Sequence, residues 1–149
     1  MRRDSGFTLV ELLVVFAIMA LLISVTPIAY QKMRDTAQYR DVLRTMYSEL
    51  RAARQQAAST HAETRFSVNL KQRSYGTQGR VEHSLPESLT VRATVASTEM
   101  SGNGIAAIRF LADGGATGGS IDVLRSSGGG ARLRVDWLSG RVTQETLSP

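Results

Sequence analysis

The chain has 149 residues, 18 Lys and Arg against 13 Asp and Glu, and no cysteine. Its length suits one domain, and the absence of thiols excludes a disulfide framework, a thiolate metal site and a cysteine nucleophile. The formal charge of +5 is unevenly placed: residues 31–60 hold six bases and three acids, whereas 61–149 hold ten bases and eight acids. The larger part of the chain is thus near neutrality, which argues against a nucleic-acid surface as the default reading.

At the N-terminus, Arg2 and Arg3 precede an apolar stretch over Phe7–Ile28, 22 positions interrupted only by Thr8, Glu11, Ser24 and Thr26. A bilayer core needs about 20 helical residues, so this segment is long enough to span. The two arginines place the N-terminus on the cytoplasmic side and the rest of the chain outside it. Hydropathy alone leaves two readings open, a secretory signal peptide and a plain membrane anchor. Neither accommodates Glu11 well, because a carboxylate in hydrocarbon costs about 2.5–3.5 kcal/mol and calls for a cationic partner. The signal-peptide reading also lacks a good cleavage site, Ser24-Val25-Thr26 being a weak one.

The helix is expected to continue past the apolar stretch. Tyr39, Leu43, Met46, Leu50, Ala53 and Ala57 recur at alternating spacings of four and three, which marks one apolar stripe on a helix. Arg40, Asp41, Arg44, Glu49, Arg51 and Arg54 occupy the other faces. The spacing predicts one helix from Phe7 to Ser59, bent at Pro27, whose ring removes a hydrogen bond. The stripe is short for a coiled coil and includes small alanines, so packing against a sheet of the same chain fits it better.

After Ser59 the period falls to two. Phe66–Leu70 and Leu89–Val95 alternate apolar and polar residues, and Ile105–Leu111, Ser120–Leu124, Ala131–Leu138 and Arg141–Thr143 are further strand candidates. Runs rich in Gly and Ser separate them at 101–104, 114–119 and 126–130, as turns require. Leu138-Ser139-Gly140-Arg141 reads as the turn between the last two strands. A long helix followed by short antiparallel strands is an α+β arrangement.

No catalytic constellation is expected. His61 and His83 lack any metal-ligand spacing and read as surface residues. Asp113 and Asp122 flank a Gly-rich loop but fall short of a calcium ligand set, so they read as turn residues. The Gly-rich runs lack the Lys-Ser/Thr ending of a phosphate loop. No catalytic residue, metal site or cofactor is assigned.

Gly6-Phe7-Thr8-Leu9-Val10-Glu11, behind a short basic leader, resembles the processing motif of type IV pilins and type II secretion pseudopilins. The order Phe110, Asp113-Gly114, Gly118-Gly119, Val135-Asp136 and Gly140-Arg141-Val142 resembles the C-terminal domain of the GspH/FimT group of minor pseudopilins and minor pilins. The resemblance implies a type IV pilin-like fold, with a long N-terminal helix, membrane-spanning in its first half, packed on a small antiparallel β-sheet domain. It implies a leader at 1–6, a transmembrane and filament-core helix at 7–30, an amphipathic continuation at 31–60, and a periplasmic β-rich domain at 61–149. It further implies cleavage by a prepilin peptidase between Gly6 and Phe7, N-methylation of Phe7, and a charge pair between Glu11 and the freed amine of a neighbouring subunit. A buried carboxylate is tolerable in such a pair.

The function implied is that of a minor pseudopilin in the periplasmic pseudopilus of a type II secretion system. Its partners would be the major pseudopilin, other minor pseudopilins and the inner-membrane assembly platform. The alternative is a FimT-like minor pilin in pilus assembly or DNA uptake, for which Arg132, Arg134 and Arg141 would neutralise phosphates. The near-neutral β-domain weighs against it.

Overall fold

The computed structural model describes the backbone of residues 7–148 and the side chains of 7–23 and 33–148. The expected leader at 1–6, with Arg2, Arg3 and Gly6, and the side chain of Pro27 lie outside the described residues. The chain divides into two compact units, Met1–Thr36 and Ala37–Pro149. Helix α1, Leu9–Thr60, contributes to both.

In the first unit the helix starts on a cap. The Thr8 hydroxyl accepts a hydrogen bond from the Glu11 backbone N–H at 3.3 Å, and the Thr8 carbonyl accepts from Leu12 N–H at 3.2 Å. Thr8-Leu9-Val10-Glu11 thus has the spacing of a capping box, in which a hydroxyl satisfies one of the helix's orphan amides. Every described side chain from Phe7 to Ile23 is exposed. Among the described residues no helix is long and apolar enough to cross a membrane. The remainder of the expected span, 24–30, lies among the undescribed side chains.

The second unit packs antiparallel β-structure against the C-terminal half of α1, as expected, and divides it between two sheets. The first has the order β3-β2-β1-β6-β5 and the second β4-β7-β8-β9. The strands are β1 Thr64–Asn69, β2 Ser74–Thr77, β3 His83–Ser84, β4 Leu89–Val95, β5 Met100–Ser101, β6 Ile105–Phe110, β7 Gly119–Arg125, β8 Gly130–Val135 and β9 Val142–Leu147. Three differ from expectation by their very existence. β2, β3 and β5 have four, two and two residues, too few for an alternation to register. β8 stops at Val135, so Trp137 and Leu138 fall in the turn, and β9 runs past Thr143 to Leu147.

The core lies where the helix stripe meets both sheets. Met46, Leu50, Ala53 and Ala57 have no exposure, and neither do Phe66 on β1, Phe110 on β6, Val123 on β7 and Leu133 on β8. The alternation read from Phe66 and Leu89 onward therefore faces this helix. Polar ties fix the helix flanks. Glu49 accepts a hydrogen bond from the Thr77 hydroxyl of β2 at 2.7 Å and pairs with Arg80 at 3.4 Å. Tyr39 carries the Arg125 guanidinium over its ring at 5.0 Å, beside a hydrogen bond from the Ser88 hydroxyl to the Gln38 side chain. Gly130 opens β8 because a Cβ there would collide with the Val123 carbonyl.

On the outer face of the second sheet the register aligns four charges in one row. Arg92 faces Asp122, Asp122 faces Arg132, and Arg132 faces Glu145. Signs alternate across all four strands, the arrangement that cross-strand pairs favour. The central pair is bidentate, with Arg132 Nε on Asp122 Oδ1 at 2.7 Å and the second guanidinium nitrogen on Oδ2 at 2.8 Å. This fork geometry is the strong form of the interaction. Hydrogen bonding to Arg132 holds the Asp122 carboxyl below its ordinary value, against partial burial, with the charges of Arg132 and Arg92 adding to the effect.

Leu50→Ala is expected to destabilise the second unit by about 2–5 kcal/mol, the cost of an unfilled cavity, read from denaturant unfolding of the chain in detergent. Retention of the wild-type midpoint would contradict the placement of the core. Because the folded value of Asp122 is depressed, its contribution is complete above the ordinary aspartate value of 3.8 and disappears as pH falls through the folded value. Asp122→Asn should therefore flatten the dependence of Tm on pH between about pH 5 and pH 2; parallel curves for the two proteins would refute it.

Candidate functional site

The first unit offers a surface, not a pocket. Phe7 and Leu9 are among the most exposed apolar side chains of the molecule, and the whole of Phe7–Ile23 shares that exposure. A contiguous apolar surface of this kind on a helix has no reason to persist in water and marks contact with lipid or other helices. Glu11 sits in its first turn, where a negative charge suits the helix N-terminus, and forms no ion pair among the described residues. Thr8, which caps this end, was not singled out from the sequence, although the Thr-x-x-Glu spacing signals it.

Of the three arginines grouped along the chain, Arg132 and Arg134 border one recess on the outer face of β8, and Arg141 stands apart from them. Arg132 is committed to Asp122. Arg134, two residues on, is exposed on the same outer face of β8. Arg141 instead lies beside Gly114 and Val142, in a groove of about 820 Å³ whose other wall is α1, with Tyr47, Arg51 and Arg54. The turn between β8 and β9 makes this separation. Asp136 Oδ1 accepts from the Ser139 N–H at 2.8 Å and from its hydroxyl at 2.7 Å, and Gly140 N–H donates to the Asp136 carbonyl at 2.9 Å. Those Ser139 bonds, the hydroxyl's first, hold the Asp136 carboxyl below its usual range. Gly140 has φ +60°, and a Cβ there would stand 2.5 Å from the Gly114 carbonyl and 3.2 Å from Arg54 Nε. The turn thus lies tight against the groove.

The remaining singled-out residues take structural roles. Asp113 caps its turn by accepting from Gly115 N–H at 3.0 Å, as expected of a turn residue. Asp122 corrects that expectation: it is a mid-strand residue of β7 engaged in the charge row. His61 is exposed, but His83 is half-buried and stacks on Tyr75 with ring centroids 5.3 Å apart, so only the first is a simple surface histidine. The buried charge of the unit is Glu99, paired with Arg109 and 3.8 Å from Arg65. Arg109 also pairs with Glu63 at 3.1 Å, and these carboxylates, Glu99 first, hold its guanidinium above its ordinary value. A buried carboxylate so partnered needs no functional explanation. Among the described residues no group of side chains is placed to hold a metal ion.

Comparison with known proteins agrees with this division of the chain. Residues 1–26 match the model of the prokaryotic N-terminal methylation motif, and residues 43–140 match that of type II transport protein GspH. The type II secretion system protein H of Xanthomonas campestris pv. campestris is 35% identical over 148 residues, covering 98% of this chain and 86% of that protein. Among solved structures, the minor pseudopilin EpsH from the type 2 secretion system of Vibrio cholerae superposes with a TM-score of 0.55 at 13% identity. The match covers 75% of this chain and 98% of that one, and it shows that the two share a fold. The chain, with a methylation motif at its start and a two-sheet domain built on the end of the same helix, belongs to the type II transport protein GspH family.

Proposed function

We propose that the chain works as a minor pseudopilin of a type II secretion system, a structural subunit of the periplasmic pseudopilus. The observation that carries the reading is the exposed, mainly apolar segment 7–23 that opens α1, joined in one chain to a GspH domain. A helix of that kind is made to be covered. In the membrane the cover is lipid, and in a filament it is the helices of other pseudopilins, where the driving force is close packing of apolar side chains.

The finer steps belong to the same proposal. A prepilin peptidase cuts between Gly6 and Phe7, and Phe7 receives the methyl group at its new amine. Glu11, on the first turn of α1, pairs with the freed amine of a neighbouring subunit, which offsets the cost of burying its charge. The chain sits in the inner membrane with its N-terminus cytoplasmic and its β-domain periplasmic until it enters the filament. There it meets the major pseudopilin, other minor pseudopilins and the assembly platform. The Arg132–Asp122 pairing supports this reading over DNA uptake, since one of the three arginines that uptake would use is already engaged.

Gly6→Ala is expected to leave the chain uncut when co-expressed with a prepilin peptidase, scored by mass spectrometry of the N-terminus; normal processing would remove the cleavage step. Glu11→Ala should enter the membrane as well as wild type but cross-link several-fold less to other pseudopilins. Equal cross-linking would dispose of the charge pair.

A further inference from the structure

We propose that the groove between α1 and the β8–β9 turn, which reaches the first residue of β9, Val142, receives one end of an extended acidic segment of a partner protein, added as a fifth strand along β9. Two independent features converge there. The first is charge. Arg51 and Arg54 project from the helix and Arg141 from the β8–β9 turn into one recess, which no carboxylate lines. Among the described residues none of the three is in an ion pair. Arg51 lies over the Tyr47 ring at 5.8 Å, and Arg54 lies near enough to the turn that a Cβ added at Gly140 would stand 3.2 Å from its Nε. Arg51 and Arg54, three apart on the helix, are at a spacing where like charges repel, and Arg141 adds a third positive charge to the same concavity. An anion in the recess relieves that repulsion.

The second feature is backbone. β9 is the last strand of its sheet, and four of its six residues, Thr143–Thr146, are exposed. An edge strand presents alternate N–H and C=O groups with nothing beside them, a template for another strand. Only a polypeptide can use that template, which selects an extended protein segment over a nucleic acid as the occupant. Alternation in the added strand would direct every second side chain toward the helix wall, so the segment recognised carries acids at every second position. Glu145 does not interfere, because it stands on the opposite face, in register with Arg132. The groove belongs wholly to the second unit, and the inference does not depend on whether the first unit enters a filament.

The test uses the full chain in detergent micelles and a fluorescein-labelled decapeptide of alternating Glu and Val. Saturable binding should weaken with salt and fall about tenfold in the triple variant R51Q/R54Q/R141Q, as loss of three partly exposed charge pairs implies. Arg134→Gln, outside the groove, should bind as wild type. Amide exchange should slow over residues 142–147 when peptide is bound. Replacing the three arginines by Glu should transfer preference to an alternating Lys and Val decapeptide, which also shows that the variant is folded. The proposal is overturned if wild type and triple variant bind alike, if the Lys peptide binds wild type equally, or if exchange slows elsewhere. It is also overturned if a thymidine decamer or inorganic phosphate displaces the peptide at comparable charge concentration.

Discussion

Everything in the second unit depends on one helix face being buried twice. Met46, Leu50, Ala53 and Ala57 lose all exposure because residues from both sheets close over them. Burial of apolar surface is the dominant favourable term in folding, and here a single stripe supplies it to both sheets. The two alanines matter as much as the larger side chains, since small residues let the strands approach the helix axis. A helix with this stripe and no sheets would be marginal in water, and strands this short would be no better alone. The first unit shows no such arrangement among its described residues: the apolar side chains from Phe7 to Ile23 are exposed.

The helix was legible because a period of three and four persists over five turns and no glycine or proline breaks it from 28 to 75. The central strands were legible for the equivalent reason, a period of two at Phe66, Val68 and at Leu89 to Val95. What could not be read is what short range does not encode. β2 is only Ser74–Thr77, with Gly76 in its middle, and β3 is only His83 and Ser84; β2 joins the edge of β1 and β3 that of β2, and runs this short carry no periodicity to read. The split into two sheets is a matter of pairing order, in which β1 takes β6 across 35 residues of chain and β4 takes β7 instead of a nearer neighbour. The Gly-rich runs announced turns but not which strands they join.

The candidate surfaces show the same limit. Arg132, Arg134 and Arg141 are close in sequence, and sequence proximity was the only ground for grouping them. In the structure a strand face and a tight turn intervene, so Arg132 joins Asp122 and Arg141 joins Arg51 and Arg54 from a helix some ninety residues earlier. Helix periodicity places Arg51 and Arg54 off the apolar stripe and can say no more of them. The N-terminal residues were legible in a different way. Gly6, Phe7 and Glu11 form a local pattern, and its structural component, the Thr8 cap, lies entirely on the side of the chain that follows Gly6.

The charge row of the second sheet bears on how the sheet avoids assembling wrongly. β7 and β8 are joined by Ser126–Gly129, where Gly128 and Gly129 have φ of +81° and +68°, a permissive connection that tolerates more than one loop length. Hairpins with such turns are prone to slippage, and inward apolar residues alone do not forbid a slip of two positions, which keeps the same face inward. The row does so in one direction. A two-residue slip of β8 against β7 sets Asp122 opposite Gly130 in one sense, where its pair is lost, and opposite Arg134 in the other, where an arginine faces it again. The alternating charges therefore work as a one-sided key for strand alignment: they reject one of the two slips that hydrophobicity would accept, and they do so on the face where no core packing can.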